Sequence, residues 1–326
     1  LSSKKSLWGV VRRELLEIRE LYGTDRRTLV GEPVKDLTYN EDAYIVKEDG
    51  YVVVTRDGWI KRQSSFSELD KIRIREDDEI GWLIKAHTRS TITVFGSYGS
   101  AYVMRVDDVP ATTGYGEPLQ RHFNFSDGEK VVGVISHDAR HRIIVQESLP
   151  LADDAPPPPY AVAMTFDGRA VRFPIASHED TSTRSGRKYC RVDPTKGEAV
   201  LAVLPSKGGE NACVASALGR AMLFPVDEIP PRKGVSKGVI GLKLRPGDKI
   251  MAFGLASNSI QGPSVITGKG RDLNVSERKF GVSKRGGRGN VVLQRGSIDT
   301  WVQSPTIQIG APDEPPDIDP DEEVSS

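Results

Sequence analysis

One short segment of this sequence is suited to holding phosphate groups. It runs Lys284-Arg285-Gly286-Gly287-Arg288-Gly289, with three cations and three glycines in six positions. Because glycine lacks a Cβ, main-chain N–H groups can approach phosphate oxygens closely, while an arginine guanidinium can bridge two of those oxygens. The alternative is a flexible exposed loop whose charge has no ligand. Cations combined with close backbone approach favour contact with a polyanion.

A second set of cations follows glycines that end apolar strands. Lys61 and Arg62 follow Gly58 on a predicted strand, where adjacent side chains point to opposite faces, so at most one of them packs against the sheet. The other members have related positions or lie in a nearby run without acidic residues: Arg169, Arg172, Arg220, Lys237, Lys269 and Arg271. Charge on a strand edge also prevents edge-to-edge aggregation, which is the alternative explanation. We expect the set to contact phosphates along one basic rim.

The charge of the chain is segregated. Its 45 basic and 45 acidic residues cancel, but seven acidic residues and no basic one lie between Asp313 and Ser326, so residues 1–312 carry +7. A basic body with an acidic tail indicates a polyanion partner and a segment that can compete with it. We hypothesise that the tail occupies the basic rim and weakens binding there, because opposite charges on one chain have a high effective concentration.

The sequence gives little support for a metal site, a disulfide framework, a membrane span or an element that reads bases. His137 and His141 have a metal-like spacing, but they fall between predicted strands with no cysteine nearby, so we expect no metal site. The two cysteines, Cys190 and Cys213, are too few for a disulfide framework and indicate a reducing compartment. No apolar run approaches the ~20 residues of a membrane span. No element rich in Asn, Gln and Arg is evident for base reading, so binding without sequence specificity is expected.

One helix is predicted at the start of the chain. Ser6 can cap a helix over Leu7–Tyr22, and Gly23 can end it. Its apolar residues recur on one stripe: Val11, Leu15, Ile18 and Tyr22. A helix this short needs a partner, which is either the rest of the protein or a coiled coil. The chain begins with Leu1 rather than Met, and we expect it to be part of a longer protein.

Beyond Thr38 the sequence repeats with a period near fifty residues. A strand, a turn glycine and a second strand recur at glycines 41, 69, 51 and 51 residues apart: Gly58, Gly99, Gly168, Gly219 and Gly270. At the first of these, Asp57-Gly58 suits a type I′ hairpin turn. An acidic turn feeding an apolar strand also recurs, with strand starts 51, 69 and 50 residues apart: Ile80, Val131, Val200 and Ile250. In both series the 69-residue spacing falls in the unit that contains the insertion Leu149–Pro159. The proline run of this insertion indicates a surface connector.

Two signals with one period predict an all-β, propeller-like array with four strands in each unit. Five hairpin glycines predict a five-bladed β-pinwheel, in which the strands of Ile298–Ile309 either complete the ring or begin a sixth blade. The predicted organisation is a helix and linker over residues 1–38, the pinwheel over 39–311, and a tail over 312–326. The tail is acidic and rich in proline, so we expect it to be disordered.

Several strings resemble the C-terminal domain of the A subunits of bacterial type IIA DNA topoisomerases, the family of gyrase and topoisomerase IV. Gly58-Trp59-Ile60-Lys61-Arg62 is similar to the family's Gly-aromatic-Ile-Lys-Arg hairpin, and Gly238–Asp248 to its Gly-Val-Arg-Gly-Ile-x-Leu-x-x-Gly-Asp stretch. Lys284–Gly289 resembles the gyrase box, Gln-Arg-Arg-Gly-Gly-Lys/Arg-Gly, and residues 22–28 look like the end of the family's coiled-coil arm. The order of these strings on one period makes the resemblance specific over about residues 7–310.

The sequence departs from the gyrase pattern in the position of the box. The box-like string lies in the last repeat rather than the first, Ser283 replaces its leading Gln, and residues 63–75 contain no Gly-Gly. These departures look more like topoisomerase IV. The resemblance then implies a domain that binds and bends duplex DNA on a basic outer rim and presents it for strand passage in decatenation or relaxation. The alternatives are a gyrase A domain that wraps DNA for negative supercoiling and, more distantly, a β-propeller scaffold that binds protein.

The resemblance places the catalytic chemistry outside this chain. The family cuts DNA with a tyrosine that directly follows an arginine; none of the nine tyrosines here does so, and no P-loop pattern occurs. We therefore expect no catalytic residue and no cofactor in this domain, with ATP and Mg acting elsewhere in the holoenzyme. The implied partners are double-stranded DNA, the remainder of the A subunit, a second A subunit, and the ATPase B subunit, with no membrane. The implied location is the bacterial cytoplasm, at the nucleoid.

Overall fold

The structure is a computed structural model that describes residues 3–24, 45–145 and 155–309. The chain divides into two compact units, Leu1–Tyr44 and Ile45–Ser326, and each is described by itself. The boundaries predicted at 38/39 and 311/312, and the predicted disorder of 312–326, lie outside the described residues.

The first unit contains the helix α1, Lys4–Tyr22. Ser3 caps it, since its hydroxyl accepts a hydrogen bond from the Ser6 N–H at 3.3 Å; the helix thus begins earlier than predicted, and Ser6 is not the cap. Gly23 ends the helix as predicted, its N–H donating to the Arg19 carbonyl at 2.8 Å. No residue of α1 is buried, and Tyr22 on the apolar stripe is 79% exposed. None of the described helices is both long and apolar enough to cross a membrane.

Among its described residues, the second unit consists almost entirely of strands, with short 3-10 turns and one helix, α2 (Glu277–Phe280). The strands are β1 (Asp49–Thr55), β2 (Trp59–Gln63), β3 (Ile80–His87), β4 (Thr91–Gly96), β5 (Ser100–Arg105), β6 (Glu117–Pro118), β7 (Val131–Ser136), β8 (Tyr160–Thr165), β9 (Arg169–Pro174), β10 (Arg187–Lys188), β11 (Val200–Ser206), β12 (Asn211–Ser216), β13 (Arg220–Pro225), β14 (Val239–Ile240), β15 (Ile250–Ala256), β16 (Ser264–Thr267), β17 (Asp272–Asn274), β18 (Asn290–Val291), β19 (Ile298–Val302) and β20 (Thr306–Gln308).

Each blade consists of a hairpin and a returning strand. In blade 1, β1 pairs with the outer strand β2 (Val52↔Arg62), and β3 returns after an excursion to pair with the other side of β1 (Val52↔Ile84). The same order recurs as β4, β5, β7 in blade 2; β8, β9, β11 in blade 3; β12, β13, β15 in blade 4; and β16, β17, β19 in blade 5. The prediction of five blades is confirmed.

The hairpin turns contain the predicted glycines, and all five have positive φ. The predicted type I′ turn is wrong, because that turn needs positive φ at two positions and only Gly58 (φ 88°) has it here. The Gly58 N–H donates to the Thr55 carbonyl at 3.2 Å, which describes a type I turn followed by a glycine bulge.

The predicted acidic turns lead directly into the returning strands β3, β7, β11 and β15. Two of the acidic residues also hold a hairpin turn of their own blade. Asp78 Oδ1 accepts from the Asp57 N–H at 3.1 Å, and Asp248 Oδ1 accepts from the Leu218 N–H at 3.0 Å. In these two blades, the hydrogen bonds explain why the acidic turn keeps the same period as the hairpin glycine.

The fourth strand of blades 1 to 4 comes from the next repeat. The two-residue strands β6, β10, β14 and β18 lie in the excursions of blades 2 to 5 and pair with the outer strands of blades 1 to 4; we call them exchange strands. Each follows a glycine with φ between 65° and 85°: Gly116, Gly186, Gly238 and Gly289. A side chain there would collide with the neighbouring outer strand, since a Cβ on Gly238 would lie 2.2 Å from the Ala170 carbonyl oxygen. These glycines follow one another at 70, 52 and 51 residues, a third signal on the same period.

Apolar cores fill the spaces between successive blades. Val52 and Ile84 of blade 1, for example, share a core with Ile92 and Val94 of blade 2. The returning strands contact one another around the axis, and a central cavity of about 380 Å³ is lined by residues of all five blades: Trp82, Val132, Ala202, Phe253 and Trp301.

Blade 5 is joined to blade 1 by β20, which pairs in parallel with β3 (Ile307↔Leu83). The strands of 298–309 therefore complete the ring and do not begin a sixth blade. Within the described residues, the outer strand β17 of blade 5 has no exchange strand. Where the outer strands of blades 2 to 4 bury alanine, β17 carries the exposed Asp272, whose charge protects an unpaired edge.

Candidate nucleic-acid interface

Each exchange strand ends a loop that is anchored at both ends on the preceding blade. At the first anchor, an N–H donates to a carbonyl of the outer strand: Thr112 to Arg62 (3.0 Å), Ser182 to Val103 (3.0 Å), Arg232 to Arg172 (2.9 Å) and Ser283 to Leu223 (2.8 Å). The second anchor is the exchange strand. We define the exchange loops of blades 1 to 4 as residues 112–118, 182–188, 232–240 and 283–291.

The exchange loops are linked to one another around the perimeter by backbone hydrogen bonds. The Asn124 N–H, beyond β6, donates to the Arg184 carbonyl at 2.7 Å, and the Arg191 N–H, beyond β10, donates to the Ser236 carbonyl at 2.9 Å. Between the last two loops, the Gly286 N–H donates to the Gly241 carbonyl at 2.6 Å. The loops therefore form one continuous band along the outer edge of the ring.

The charge of this band is uneven. The exchange loop of blade 1 carries −1, and those of blades 2, 3 and 4 carry +3 each. The nine cations are Arg184, Arg187 and Lys188 on blade 2; Arg232, Lys233 and Lys237 on blade 3; and Lys284, Arg285 and Arg288 on blade 4. Of the predicted rim residues, Lys237, Lys284, Arg285 and Arg288 thus lie together on adjacent blades.

The box-like segment forms the exchange loop of blade 4. Lys284 and Arg288 are exposed and make no ion pair within the described residues. Arg285 is half-buried: its Nε donates to the Glu228 carbonyl at 2.7 Å and its Nη1 to the Ile240 carbonyl at 3.3 Å, so it joins this loop to the exchange strand of blade 3.

The three glycines of this segment differ in role. Gly286 (φ 80°) and Gly289 (φ 65°) have conformations that favour glycine, whereas Gly287 is exposed without positive φ. Arg220 fixes the end of the loop, because its Nη1 donates to the Gly289 carbonyl at 3.0 Å.

Two predicted rim residues are buried. The Lys61 side chain lies inside blade 1, where Nζ donates to the Arg73 carbonyl at 2.7 Å and the Gly114 carbonyl at 2.8 Å, and burial lowers the pKa of Lys61. Arg172 is 1% exposed; its Nη1 donates to Asp227 Oδ1 at 2.9 Å and its guanidinium lies 4.5 Å from the Tyr160 ring centre. Neither presents a charged atom at the perimeter, so both hold the ring together in this structure.

The remaining predicted cations are divided between paired and exposed positions. Arg62 is equivalent to Arg172 and lies 3.6 Å from Asp107 of the next repeat, while Arg169 lies 3.3 Å from Asp167. Both are half-buried. Lys269 and Arg271 are exposed on the hairpin of blade 5. They extend the basic surface one blade beyond the exchange loops.

Sequence reasoning missed the cations on blade 2. Arg184, Arg187 and Lys188 donate to carbonyls of the loop or of its neighbours, as in the 2.9 Å bond from Lys188 Nζ to the Tyr98 carbonyl. The signal that could have found them is the periodic glycine before each exchange strand, here Gly186, with cations on both sides.

The histidines with metal-like spacing have separate structural partners. His137 Nε2 lies 2.7 Å from Thr93 Oγ1, and burial lowers the pKa of His137 to about 4. His141 Nε2 lies 2.5 Å from the Lys85 carbonyl. Within the residues that the structure describes, no three His, Cys, Asp or Glu side chains group as metal ligands. Cys190 and Cys213 are buried, which raises the pKa of each thiol to about 12.

Two of the repeats match a known family. The model of the DNA gyrase C-terminal domain, beta-propeller, matches residues 92–138 and 210–257. Each stretch comprises the hairpin, the excursion and the returning strand of one blade, blade 2 and blade 4 respectively.

Relatives match over nearly the whole chain. The A subunit of DNA gyrase from Aminobacterium colombiense is 25% identical over 303 residues, covering 90% of this chain and 34% of that protein. The A subunit of DNA topoisomerase 4 from Caulobacter vibrioides is 25% identical over 311 residues, covering 90% and 37%. The homologues of this chain are type IIA topoisomerase A subunits. The chain spans about a third of the length of these relatives.

Solved structures with the same fold include the C-terminal domain of DNA topoisomerase IV, with a TM-score of 0.66 and 18% identity over 80% of this chain and 79% of that one. The E. coli ParC C-terminal domain follows with a TM-score of 0.58 and 15% identity, over 78% and 98%. The second unit therefore has the pinwheel fold of these topoisomerase domains, and the resemblance stated from the sequence is confirmed.

Proposed function

We propose that this chain is the DNA-binding and DNA-bending domain of a type IIA topoisomerase A subunit. The observation that carries the proposal is the continuous band of exchange loops, in which three consecutive loops carry +3 each. A polyanion that follows the outer edge of the ring would meet cations on one blade after another.

Duplex DNA suits such a band because it carries one phosphate charge per ~1.7 Å of its axis. Bending a site of 20–30 base pairs costs roughly 1–6 kcal/mol, which contacts to several loops can offset. Lys, Arg, Gly and Ser dominate the loops of blades 3 and 4, and these side chains and backbone N–H groups fit phosphates rather than base edges. Binding is therefore sequence-tolerant and strongly salt-dependent.

We further propose the topoisomerase IV type of activity, in which the domain presents a captured duplex for decatenation or relaxation. In the first repeat, the excursion lacks a box and packs onto its own blade through Ile72, which shares a core with Val53 and Leu83. Partners are the remainder of the A subunit, a second A subunit, and the ATPase subunit, in the cytoplasm at the nucleoid. The reconstituted holoenzyme should relax and decatenate DNA; introduction of negative supercoils would instead identify a gyrase.

DNA binding is tested by fluorescence anisotropy of a labelled duplex over a range of salt. In the 326-residue chain we replace two cations on each of blades 3 and 4: Lys233→Ala, Lys237→Ala, Lys284→Ala and Arg288→Ala. Affinity should fall about 100-fold near 100 mM salt, and the slope of log K against log salt should become shallower by roughly 3–4, about 0.9 for each lost phosphate contact.

The control removes two exposed lysines beside the returning strand β11, away from the perimeter, and is compared with the test variant per lost charge: Lys196→Ala and Lys207→Ala. It should bind DNA like the unaltered chain. A protein-binding scaffold would show no steep salt dependence, and equal losses in both variants would contradict a site on the exchange loops.

A further inference from the structure

We propose that blade 1 ends the DNA track: the duplex follows the exchange loops of blades 2, 3 and 4 and is turned away from the ring at blade 1 by acidic charge. This inference rests on the proposed function. The proposed function names duplex DNA as the ligand, and the acidic charge of blade 1 would determine where the path of that duplex on the ring ends.

Two segments give the outer edge of blade 1 its acidic charge. The exchange loop 112–118 contains Glu117 and no Lys or Arg. The excursion of the first repeat, residues 64–79, has three cations against six acidic residues and therefore carries −3. Glu76 and Asp77 of this excursion are exposed.

The buried Lys61 places these two segments side by side. Its Nζ donates to the Arg73 carbonyl in the excursion and to the Gly114 carbonyl in the exchange loop, at 2.7 and 2.8 Å. A groove of about 690 Å³ runs between the segments and is lined by Glu76, Arg75 and Glu117, and the Glu117 carboxylate accepts from Arg121 Nη1 at 2.6 Å. Glu76 and Glu117, one from each segment, therefore lie on one surface.

The cation in the groove lies against the blade, and the acidic residues of the excursion outnumber it. The Arg75 guanidinium lies 4.8 Å from the centre of the Trp59 ring, so it stacks on blade 1 beside Tyr115, which is 57% exposed. Exposed carboxylates repel phosphates within a Debye length, about 10 Å at 0.1 M salt. A duplex that arrives along the band from blade 2 would meet repulsion here instead of a fourth set of cations.

The consequence is a limited bend. Neighbouring blades of a five-bladed ring are about 72° apart, so the loops of three adjacent blades span about 144° of the perimeter. The duplex would follow that arc, continue at most to Lys269 and Arg271 on blade 5, and not encircle the ring.

Photo-crosslinking tests the path directly. Thr113→Cys, Ser185→Cys and Val235→Cys place one thiol in the exposed parts of the loops of blades 1, 2 and 3, whereas the native Cys190 and Cys213 are buried. After labelling with a thiol-specific aryl azide, residues 185 and 235 should crosslink to a bound duplex of 60 base pairs, and residue 113 at least tenfold less. Equal crosslinking from residue 113 would overturn the inference while leaving DNA binding intact. Failure of every variant, and of the unaltered chain, to bind DNA would instead overturn the proposed function.

A gain of charge provides the second test. Thr113→Lys with Tyr115→Lys changes the loop of blade 1 from −1 to +1, placing a lysine directly before Gly116 as Lys237 precedes Gly238. The slope of log K against log salt should steepen by about 1–2, and hydroxyl-radical protection should lengthen at one end. Thr113→Gln with Tyr115→Gln is the matched control without added charge. If the lysine variant leaves both the slope and the protected length unchanged, the acidic charge of blade 1 does not end the DNA track.

Discussion

The interior and the perimeter of the ring use the same residue types for different purposes. Arg172 and Lys61 lie between or inside blades, with all their charge directed at protein groups, whereas Lys284 and Arg288 project from an exchange loop with no protein partner among the described residues. The difference is one of position within the repeat. A cation in the middle of an outer strand stabilises the ring. A cation before an exchange strand is exposed to a ligand, even where it also pairs with a carboxylate as Lys237 does with Glu198 at 3.5 Å.

This comparison separates stability from binding. Changes in the interior should alter unfolding and leave the DNA contact of the folded chain unchanged, and changes on the perimeter should do the reverse.

Mild acid should weaken the interior between blades 2 and 3. Burial lowers the pKa of His137 and of His178 to about 4, and His178 packs against Phe173 with ring centres 5.4 Å apart. In the unfolded chain both histidines have their ordinary pKa near 6.5, so the unfolded state binds more protons between pH 6.5 and 4, and stability falls as the pH falls through that window. The loss is about 3 kcal/mol for each histidine by pH 4.

Urea unfolding at a series of pH values measures this loss. His137→Gln, which keeps a polar group near Thr93, should remove about half of the pH dependence between 6.5 and 4. A free energy of unfolding that stays constant through that window would contradict the assignment of these histidines as buried neutral groups.

Arg172→Met should be the most damaging single change among the predicted rim cations. It leaves Asp227 without its partner and removes the guanidinium from the Tyr160 ring, at a cost of about 3 kcal/mol in the free energy of unfolding. Below the unfolding transition, DNA affinity should stay within about twofold. Lys237→Met, at an exposed position, should show the opposite pattern, with stability changed by less than about 0.5 kcal/mol. Arg172→Met with native stability and strongly reduced binding would erase the distinction between interior and perimeter.

Much of this architecture could be predicted because its causes are local. A turn that needs positive φ selects glycine, and an acidic residue that accepts from a hairpin N–H must stand just before the returning strand, so both leave a periodic mark in the sequence. The exchange strands could not be predicted this way. They are two residues long, and each finds its partner on a blade formed by the preceding repeat.

Whether an individual cation is buried or exposed also depends on contacts with residues distant in the sequence. Lys61 and Arg62 alternate across one strand, but only the positions of Arg73 and Gly114, 12 and 53 residues away, place Lys61 inside. The sequence period located the correct strands, and tertiary contacts decided which of their cations remained exposed.

Two glycines of the box-like loop provide a matched test at the perimeter. A Cβ on Gly289 would lie 2.6 Å from the Ala221 carbonyl oxygen at a φ of 65°, whereas a Cβ on Gly287 would meet Met222 Cε at 3.4 Å without positive φ. Gly289→Ala should therefore cost about 1–2 kcal/mol and shift Arg288, with weaker DNA binding. Gly287→Ala should be nearly neutral in urea unfolding and in anisotropy titrations. Equal effects of the two changes would show that the close approach of Gly289 to the Ala221 carbonyl does not determine the conformation of the loop.

Removal of residues 311–326 should have the smallest effect, and on binding alone. If the seven acidic residues of the tail compete with DNA for the cations of blades 2 to 4, the shortened chain should bind a duplex about threefold more tightly at low salt. The gain should vanish near 0.5 M salt, because screening weakens the competing contact. Anisotropy titrations of both chains at two salt concentrations measure this difference, and urea unfolding should be unchanged. If removal of the tail does not change the affinity at low salt, the tail does not occupy the band of exchange loops. The acidic charge of blade 1 would then limit the DNA path without the tail.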